Sequence, residues 1–593
     1  MFTTRPEIAA TFGVVATTHW IASSVGMAVL EKGGNAFDAA VATAFVLNVA
    51  EPHLNGPGGD VPIIIHDAKS GQQHVICGQG VAPDAATPEA FAALGLDLIP
   101  GTGLLPAVVP GAFDAWALML RDWGTMELAD VLEYAIGYAA NGIHLVPRIP
   151  AAIENMRPLF EQEWKTSAEV WLPGGKAPEL GKLFRRPALA AFWQRLVKEA
   201  VGTTRETRID AARNAWYRGF AADAIDRFYR NEEILDASGS RHKGMLTGAD
   251  LARWAATVED PLAYDYHGHT VLKVGGGWCQ GPAMLQALAL LKEFDLASMD
   301  PNGADFVHTV SEALKLAFAD REAYYGDPDH VQVPLGQLLS DSYNNSRRAL
   351  IGDTASMDLR PGVVHGFNGT VDHEANKRIE LLTRAPGIGE PTVARLGAMG
   401  GDTCHIDIID KWGNMVSATP SGGWLQSSPV IPELGFPLST RGQMFWTTPG
   451  HANSVAPRKR PRTTLSPSMA LRGGKPWLSF GTPGGDQQDQ WQTIMFLRMV
   501  HYGMGIQEAI DAPSFHTEHF PSSFWPRVAR PGKLVLEGRF GAEVLAALQA
   551  RGHLAELGGD WTEGRLSGAR IEPDGQMFAG ANPRGMQGYA VGR

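Results

Sequence analysis

Apolar positions at helical spacing predict two helices near the start of the chain. The first covers Ala22 to Lys32, and Gly33-Gly34 directly after it supplies a C-cap. Asn35 can then cap a second helix, and Asp38 is placed to stabilise the first N–H groups of that helix. Because the second helix is apolar on nearly every side, we expect it to be buried between layers.

The remaining periodicity predicts strands, a long helical region and a segment without regular structure. Val61–His66 and Gln73–Cys77 have the alternation and composition of strands. Residues 110–350 are predicted to be mostly helical, with Glu127–Gly142 as one clear example. Residues 355–401 are rich in glycine, proline and charge and show no period, which predicts a mobile segment.

A β-hairpin is predicted directly after that segment. Ile406 and Ile408 alternate with Asp407, the turn DKWGN reverses the chain, and MVSAT alternates back. This pattern places the start of the hairpin at Thr403, so a threonine lies where the segment meets a strand.

Composition narrows the class of protein. The chain has 593 residues, of which 44% are hydrophobic, and this is enough for a large core. The length is compatible with two to four domains or with one large unit. A net charge of −12 argues against a nucleic acid or an anionic membrane surface as the main partner.

The cysteines and the N-terminal region predict a cytoplasmic protein without a membrane span. Cys77, Cys279 and Cys404 are far apart and form no CxxC pair, which argues against a disulfide framework or a zinc site and fits a reducing compartment. The N-terminus lacks a signal-peptide pattern, and the longest apolar stretch, Ala39–Ala50, is too short to cross a bilayer. Because the chain has no HExxH, P-loop, GxSxG or EF-hand pattern, we expect no cofactor and no metal.

Thr403 has a position that suits an N-terminal nucleophile. A hydroxyl becomes a good nucleophile only when a base removes its proton. The threonine's own α-amine, with a pKa near ~8, can be that base if the chain is cut just before it. A loop followed by a hairpin is also common in proteins without such chemistry, so the pattern alone leaves both interpretations open.

Several stretches carry a resemblance that extends over nearly the whole chain. They are GGNAFDAAVATAFVLNVAEP, GPGGD, AVVPGAFDAW, EALKLAFADREAYYGDP, GDTCHIDIIDKWGNMVSAT, APRKRPRTTLSPSMAL, GTPGGDQQ and EAIDAPSFH. By these stretches, in this order, the chain resembles the γ-glutamyltransferase (glutathione hydrolase) family of N-terminal-nucleophile hydrolases.

The resemblance implies an α+β protein with a four-layer αββα fold. It implies cleavage between Asp402 and Thr403 into a large, helix-rich chain, 1–402, and a small, β-rich catalytic chain, 403–593. The two chains would interleave in one folded unit, with a mobile tail at about 355–402.

The resemblance also implies catalytic roles at five positions. Thr403 would be the nucleophile, Thr419 a threonine near the active centre, and Ser421 the hydroxyl that bonds the nucleophile. Gly484 and Gly485 would stabilise the oxyanion with backbone N–H groups, since bare backbone lets a carbonyl approach closely.

Each of these roles has a simpler alternative. Thr419 and Ser421 suit an ordinary strand and turn, and the glycine pair suits an ordinary turn. Cys404 would be the nucleophile if cleavage fell one residue later. His405 fits a packed structural histidine or, less directly, a base.

The substrate-binding positions depart from the family pattern. Gln79 stands where an arginine of the family holds the substrate α-carboxylate, and glutamine cannot replace a bidentate guanidinium. Met444, or Gln443 beside it, takes the position of the acidic residue that binds the α-amine. Gly423 replaces an asparagine of the pocket.

Two further features of this pocket keep or replace polar contacts. Thr463 and Thr464 stand for a serine pair and keep its hydroxyl chemistry. Arg441 is absent from the usual pattern and is either a replacement cation for the substrate or a surface or structural residue.

We therefore expect a self-processing threonine enzyme that opens a small-molecule amide through an acyl-enzyme on Thr403, with water or an amine as acceptor. Altered γ-glutamyl recognition leaves open an oxamate-amidohydrolase-like or cephalosporin-acylase-like activity on a non-glutamyl amide. An unprocessed, inactive small-molecule binder is the alternative of another class. Neither a nucleic acid nor a membrane is expected as a partner, and a homo-oligomer is compatible with the sequence.

Overall fold

The computed structural model describes residues 2–372 and 403–593. Most of the helices lie within residues 110–350, the region predicted to be mostly helical. The helices are α1 (Trp20–Glu31), α2 (Ala36–Ala50), α3 (Pro88–Ala93), α4 (Ala112–Trp123), α5 (Leu128–Asn141), α6 (Arg148–Gln162), α7 (Lys165–Trp171), α8 (Pro187–Glu199), α9 (Arg205–Tyr217), α10 (Phe220–Asn231), α11 (Gly248–Arg253), α12 (Gly281–Leu291), α13 (Ala304–Tyr324), α14 (Leu335–Leu338), α15 (Asp341–Arg348), α16 (Gln488–Tyr502), α17 (Ile506–Asp511) and α18 (Gly541–Ala550).

Two seven-stranded antiparallel sheets form the centre of the molecule. Sheet I has the spatial order β21 (Tyr589–Gly592), β2 (Gly13–Thr17), β12 (Ile406–Asp410), β13 (Met415–Ala418), β3 (Val61–Asp67), β4 (Gln72–Gly78) and β9 (Thr257–Glu259). Sheet II has the order β1 (Ile8–Ala10), β20 (Met577–Ala581), β19 (Ser567–Ile571), β15 (Lys475–Gly481), β14 (Ser468–Arg472), β11 (His269–Lys273) and β10 (Leu262–Tyr266). Smaller sheets pair β16 (Phe515–Thr517), β17 (Lys533–Leu536) and β18 (Leu554–Leu557), β5 (Ile143–His144) with β6 (Leu183–Phe184), and β7 (Ile234–Leu235) with β8 (Arg241–His242).

The two sheets pack face to face between two layers of helices. One core joins the outer face of sheet I to the α1–α2 side, with Ile406 and Ile408 packed among residues such as Phe45. A second core lies between the sheets and contains Ile409. A third joins the outer face of sheet II to α12, α13 and α16, with Leu478 among its members. The α+β, four-layer αββα prediction thus matches the observed layers.

Local sequence signals account for the helices next to sheet I. Asn35 accepts hydrogen bonds from the N–H groups of Phe37 and Asp38, and the Asp38 carboxylate accepts one from Asn35 N, which completes a capping box. All of α2 is buried, as its all-round apolar pattern predicts. The helix predicted at Glu127–Gly142 is α5, with Glu127 as N-cap and Gly142 as C-cap.

Two sequence predictions differ from the structure. The hairpin ladder begins at Ile406 rather than at Thr403, which pairs with Ser421 only through an isolated bridge. The region predicted to be mostly helical also contains the β10–β11 hairpin, which forms the edge of sheet II.

The predicted mobile segment is described only in part. Residues 355–372 contain no helix or strand, but they are held by defined hydrogen bonds. Gly362 N donates to Asp320 of α13 over 2.6 Å, and Ala355 N donates to Arg551 O over 2.8 Å. Residues 373–402 lie outside the described part of the chain.

No helix within the described ranges, 2–372 and 403–593, is both long and apolar enough to span a bilayer.

Candidate active site

Thr403 lies at the mouth of β12, against the residue that follows β13. Its Oγ1 donates to Ser421 Oγ over 3.2 Å, and an antiparallel bridge joins the two residues. Cys404 N donates to Pro420 O over 2.9 Å, so the backbone on both sides of the contact is fixed. Both hydroxyl side chains are buried, at 1% exposure. The structure thus brings together the predicted nucleophile and the hydroxyl predicted to bond it.

A buried series of hydrogen bonds extends from Thr419 into the space between the two sheets. Thr419 Oγ1 lies 2.9 Å from His405 Nδ1, and His405 Nε2 lies 3.1 Å from Asp407 Oδ1. Ser567 of β19 donates to the other oxygen of Asp407 over 2.8 Å. Because a carboxylate only accepts, Nε2 carries the proton in the neutral ring and Nδ1 accepts from the Thr419 hydroxyl.

This series of hydrogen bonds lies next to the predicted nucleophile because of strand geometry. Alternate residues of a strand share a face, so Thr403, His405 and Asp407 all point toward sheet II. Ile406 and Ile408, in between, point toward the helices. Both ring nitrogens of His405 have hydrogen-bond partners, and the residue lies two positions after the predicted nucleophile. This arrangement agrees with the interpretation of His405 as a packed structural histidine.

The glycine-rich turn GPGGD packs directly on the strand end that holds Ser421. A Cβ on Gly59 would lie 2.1 Å from Ser421 O, and one on Gly423 would lie 2.9 Å from the carbonyl carbon of Gly58. Gly423 also has φ of +63°. Only glycine fits this backbone contact, so Gly423 is required by the packing of the turn.

The predicted oxyanion loop starts beside His405 and ends at a helix. Strand β15 ends at Gly481, where a Cβ would lie 2.2 Å from the His405 ring. Gly484 follows with φ of +131° and caps a short 3₁₀ turn, Gly485–Gln487, that runs into α16. The first N–H groups of a helix have no intrahelical acceptor, so this position suits an anion. A Cβ on Gly484 would lie 2.2 Å from the Trp491 ring, so glycine is required there as well.

Comparison with known proteins decides the family. A model of the family described as Gamma-glutamyltranspeptidase matches residues 22–592. The chain belongs to this family.

Characterised relatives of this γ-glutamyltranspeptidase-family chain differ in the activity that their names state. It is 31% identical to a glutathione hydrolase-like YwrD proenzyme of Bacillus subtilis (strain 168), over 98% of each chain. It is 30% identical to the oxamate amidohydrolase proenzyme of Klebsiella pneumoniae, again over 98% of each chain. The family prediction is confirmed, and with it an enzyme of the amide-hydrolysing, acyl-transferring class.

Solved structures of similar chains confirm the fold. The structure of LmbA2991 is 55% identical, with a TM-score of 0.94 over all of both chains. A cephalosporin acylase from Bacillus halodurans is 28% identical, with a TM-score of 0.83 over all of this chain and 98% of that one.

Arg441 is buried and forms an ion pair, so it is not a surface residue. Its Nε and Nη2 donate to the two carboxylate oxygens of Asp60 over 2.8 and 3.0 Å. Both side chains are buried, and the backbone of Asp60 exchanges hydrogen bonds with that of Ser421. Burial raises the pKa of Asp60 above its usual value, and the charge and hydrogen bonds of Arg441 offset only part of this shift. The pair is therefore attached to the strand end that carries the nucleophile's partner.

The remaining nitrogen of Arg441 faces an apolar group of side chains. Nη1 has the sulfur of Met444 at 3.9 Å, which is a weak acceptor. Met444 packs with Trp424 and Phe524 in a small buried cluster. The arginine thus presents one donor edge to apolar surroundings.

Gln79 is also buried beside the ion pair. Its Nε2 donates to Gly80 O over 3.1 Å, Oε1 has no hydrogen-bond partner among the described residues, and hydrogen bonding from its side chain lowers the pKa of Asp60. Gln79 therefore brings a neutral amide, rather than a charge, to the Asp60–Arg441 pair.

Thr463 and Thr464 lie on the oxyanion-loop side of the site. Thr463 O accepts from Gln280 N over 3.0 Å, and Gln280 Nε2 donates to Gly485 O over 3.0 Å. Thr463 Oγ1 accepts from Leu465 N, whereas Thr464 Oγ1 is buried with no partner within the part of the chain described. The Thr464 hydroxyl is the one free to meet a ligand. Asp402, on the other side of the predicted cleavage bond, lies outside the described residues.

Cys404 points away from the nucleophile's face. Its thiol donates to Glu51 Oε2 over 3.1 Å, and burial together with the Glu51 charge raises its pKa well above the usual range. A thiol held in this way is a poor nucleophile.

Sequence reasoning missed the partners that act across the fold. In the sequence, Asp60 is only the last residue of the stretch GPGGD, and Asp407 is only a polar strand position. Asp407 did carry a signal, since a carboxylate on a strand flanked by isoleucines is costly to bury without a partner. No sequence pattern near Asp60 predicts its ion pair with Arg441, which is 381 residues away along the chain.

One cluster of the described residues has metal-ligand types but is occupied by its own partners. His308, Glu312 and His553 are buried and lie together. Glu312 pairs with Lys315 and Arg360, and the two imidazoles bond each other over 2.9 Å. Two cations on the only carboxylate disfavour a metal ion at this place.

We predict that Asp407→Asn lowers kcat about tenfold and leaves KM within about twofold. Asparagine keeps the size of the side chain but loses the charge that fixes the His405 tautomer and, through it, the Thr419 hydroxyl, and hydrogen bonds to charged groups contribute about 1.5–3 kcal/mol. Ser567→Ala, which removes only the outer donor, is the matched control and should change kcat less than about threefold. Steady-state kinetics of both variants test this, and an Asp407→Asn enzyme with wild-type kcat would exclude a positioning role.

Proposed function

We propose that this protein is a self-processing threonine amidohydrolase whose nucleophile is Thr403. The Asp402–Thr403 bond would break to give chains 1–402 and 403–593, and the new α-amine of Thr403 would be the general base. The observation that supports this most directly is the buried 3.2 Å contact of Thr403 Oγ1 with Ser421 Oγ at the mouth of β12. The relatives named as proenzymes support processing as well.

The reaction proceeds through an acyl-enzyme. The α-amine takes the hydroxyl proton as Thr403 Oγ1 bonds to the amide carbonyl carbon, and the negative oxygen is held by the N–H groups of Gly484 and Gly485. The C–N bond then breaks, and the amine leaves with the proton. Water adds to the acyl carbon by the same route, which releases the acid and restores the threonine, or an amine takes the acyl group instead.

A denaturing gel and mass spectrometry test this proposal. The purified protein should give two bands that correspond to cleavage after residue 402. Incubation with a panel of amides should add the mass of the acyl group to chain 403–593, on Thr403. A single band at 63.8 kDa with no adduct would instead support the unprocessed binder.

The acyl group is proposed to be something other than γ-glutamyl. Arg441 is fixed by Asp60 and presents only Nη1, which can donate to an oxygen of the acyl group. Met444, Trp424 and Phe524 surround that position with apolar surface, and by the resemblance Met444 or Gln443 stands where the family has its amine-binding acid. The names of the relatives, an oxamate amidohydrolase and a cephalosporin acylase, agree with amides outside the γ-glutamyl class.

We predict that glutaryl-p-nitroanilide is hydrolysed with a kcat/KM at least about tenfold higher than γ-glutamyl-p-nitroanilide. The two compounds differ only by the α-amine, and burying an ammonium group without a carboxylate partner is costly. Release of p-nitroaniline measures both rates. Butyryl-p-nitroanilide, which also lacks the carboxylate, serves as the control for Arg441 and should be slower than the glutaryl compound. Preference for the γ-glutamyl compound would contradict this assignment.

A further inference from the structure

The predicted oxyanion loop carries a buried carboxylate directly after its glycine pair. Asp486 Oδ1 accepts from Arg321 Nη1 over 2.6 Å and from Ser523 Oγ over 2.6 Å. Asp486 Oδ2 accepts from Ser523 N over 2.7 Å. All three residues are buried, and a buried carboxylate held by a guanidinium, a hydroxyl and a backbone donor has little freedom to move. Asp486 thus attaches the loop to two parts of the protein that are 165 and 37 residues away along the chain.

The same arginine also holds the backbone of Gly485. Gln280 Nε2 donates to Gly485 O over 3.0 Å, and Gln280 Oε1 accepts from Arg321 Nη1 over 2.8 Å. The guanidinium group lies over the rings of Phe318 and Phe520, at 4.6 and 5.1 Å from their centroids, and this stacking fixes its orientation. One nitrogen of this arginine therefore anchors the loop twice, through the carboxylate and through the carbonyl of the second glycine.

Ser523 belongs to a segment that is attached to the proposed acyl side of the site. The next residue, Phe524, packs with Met444 in the small buried cluster described above. Trp525 N donates to Gln443 Oε1 over 3.2 Å. The hydroxyl and the N–H group that hold the loop carboxylate are therefore on a segment that is fixed on both sides of the site.

The charge of Asp486 gives Arg321 a second role. In the proposed mechanism, negative charge develops on an oxygen held by the N–H groups of Gly484 and Gly485, and Asp486 is the next residue along the chain. A carboxylate this near would repel that oxygen strongly in a buried site. Arg321 supplies the opposite charge by direct contact, so the ion pair as a whole is neutral. The carboxylate can then anchor the loop without opposing the reaction.

We propose that Arg321, Asp486 and Ser523 are positioning residues that hold the oxyanion loop in the geometry required by the tetrahedral intermediate. The proposal rests on the proposed function, in which the N–H groups of Gly484 and Gly485 hold the negative oxygen. The three side chains act through the backbone of the loop. Their loss should therefore weaken the binding of a tetrahedral, negatively charged group more than the binding of a planar ligand.

A matched pair of inhibitors measures this difference. A glutarate analogue in which a boronic acid replaces one carboxyl group can bond to Thr403 Oγ1 and place a negative oxygen where the intermediate has one, whereas glutarate itself stays planar. Asp486→Ala should raise the inhibition constant of the boronate analogue at least about tenfold and leave that of glutarate within about twofold. The kcat for glutaryl-p-nitroanilide should fall by about tenfold or more, with KM within about threefold.

Further variants separate the anchor from its charge. Arg321→Met leaves the Asp486 carboxylate unpaired beside the oxyanion, so it should lose more affinity for the boronate analogue than Asp486→Ala does. Arg321→Met/Asp486→Asn lacks this charge and should regain part of that affinity. Ser523→Ala keeps the ion pair and should shift the ratio of the two inhibition constants in the same direction by a smaller factor. Arg213→Met breaks an ion pair between α9 and α4 and, as the matched control, should leave the ratio unchanged.

The positioning role and the proposed function fail in different ways. The ratio of inhibition constants does not depend on the fraction of folded protein, so it remains a valid measure in a variant of reduced stability. A wild-type protein that binds the boronate analogue no more tightly than glutarate would contradict Thr403 as the nucleophile, and the positioning role with it. A wild-type preference for the boronate analogue that is unchanged in both Asp486→Ala and Ser523→Ala would overturn the positioning role alone and assign these contacts to the stability of the fold.

Discussion

Thr403→Ala is expected to leave the protein as one uncleaved chain of 63.8 kDa and to lower kcat/KM by at least about 10⁴-fold. The substitution removes the hydroxyl that donates to Ser421 Oγ at the mouth of β12 while keeping the backbone bridge. Without that oxygen, neither the Asp402 carbonyl nor an amide substrate can form an ester with the chain. A denaturing gel reports the first effect, and amide hydrolysis reports the second.

Two variants serve as controls for this prediction. Thr403→Ser keeps the hydroxyl and should still be cleaved, at a lower rate. Cys404→Ala should be cleaved and active, because the Cys404 thiol is bound to Glu51 and its pKa is raised. Cleavage and turnover in Thr403→Ala, together with their loss in Cys404→Ala, would move the nucleophile by one residue and refute the assignment.

Elements governed by local interactions could be predicted from the sequence. The capping box of Asn35 and Asp38 and the burial of α2 depend on residues within a few positions of one another. The alternation of Ile406, Asp407 and Ile408 likewise predicts β12 without knowledge of its neighbours.

The β10–β11 hairpin was missed although its signal is local. His267 and Gly268 form a two-residue turn in which both residues have positive φ, and alternating residues flank it. The hairpin lies within residues 110–350, whose helical periodicity led to the prediction of helix for the whole region. This case shows that a hairpin inside a helical region is found by its turn rather than by the composition around it.

The site could be predicted only as far as residues near in sequence define it. Thr403, Thr419 and Ser421 lie just beyond the open end of one hairpin, so the resemblance and the strand pattern place them together. The charged and polar residues around them are distant in sequence. Asp60 and Arg441 are 381 residues apart along the chain, and Ser567 and Asp407 are 160 residues apart. Such pairs leave no period or spacing in one sequence, so the three-dimensional structure was needed to find them.

Asp60→Ala is expected to lower the free energy of unfolding by about 3–5 kcal/mol, because it leaves the buried Arg441 guanidinium without its carboxylate. Arginine cannot lose its proton to escape this cost. Arg441→Met should cost less, since the Asp60 carboxyl can take up a proton when its cation is removed. Thermal and denaturant unfolding of the two variants give the comparison.

The direction in which stability changes with pH follows from protonation of the Asp60 carboxyl. In Arg441→Met, the pKa of Asp60 in the folded protein lies above its unfolded value, because burial raises it and the opposing cation is gone. The folded state then binds more protons, so this variant loses stability relative to wild type as pH rises from about 4 to 8. Asp60→Ala has no such carboxyl and should show no comparable loss over this range.

The double variant Asp60→Ala/Arg441→Met separates stability from recognition. Removing both charges should restore most of the stability lost in Asp60→Ala, because no unpaired charge stays buried. It should not restore hydrolysis of glutaryl-p-nitroanilide, because Arg441 Nη1 is the donor proposed to meet the acyl oxygen. Recovery of both properties would assign the pair to structure alone, and an intact preference for the glutaryl over the butyryl compound in the double variant would exclude Arg441 from substrate recognition.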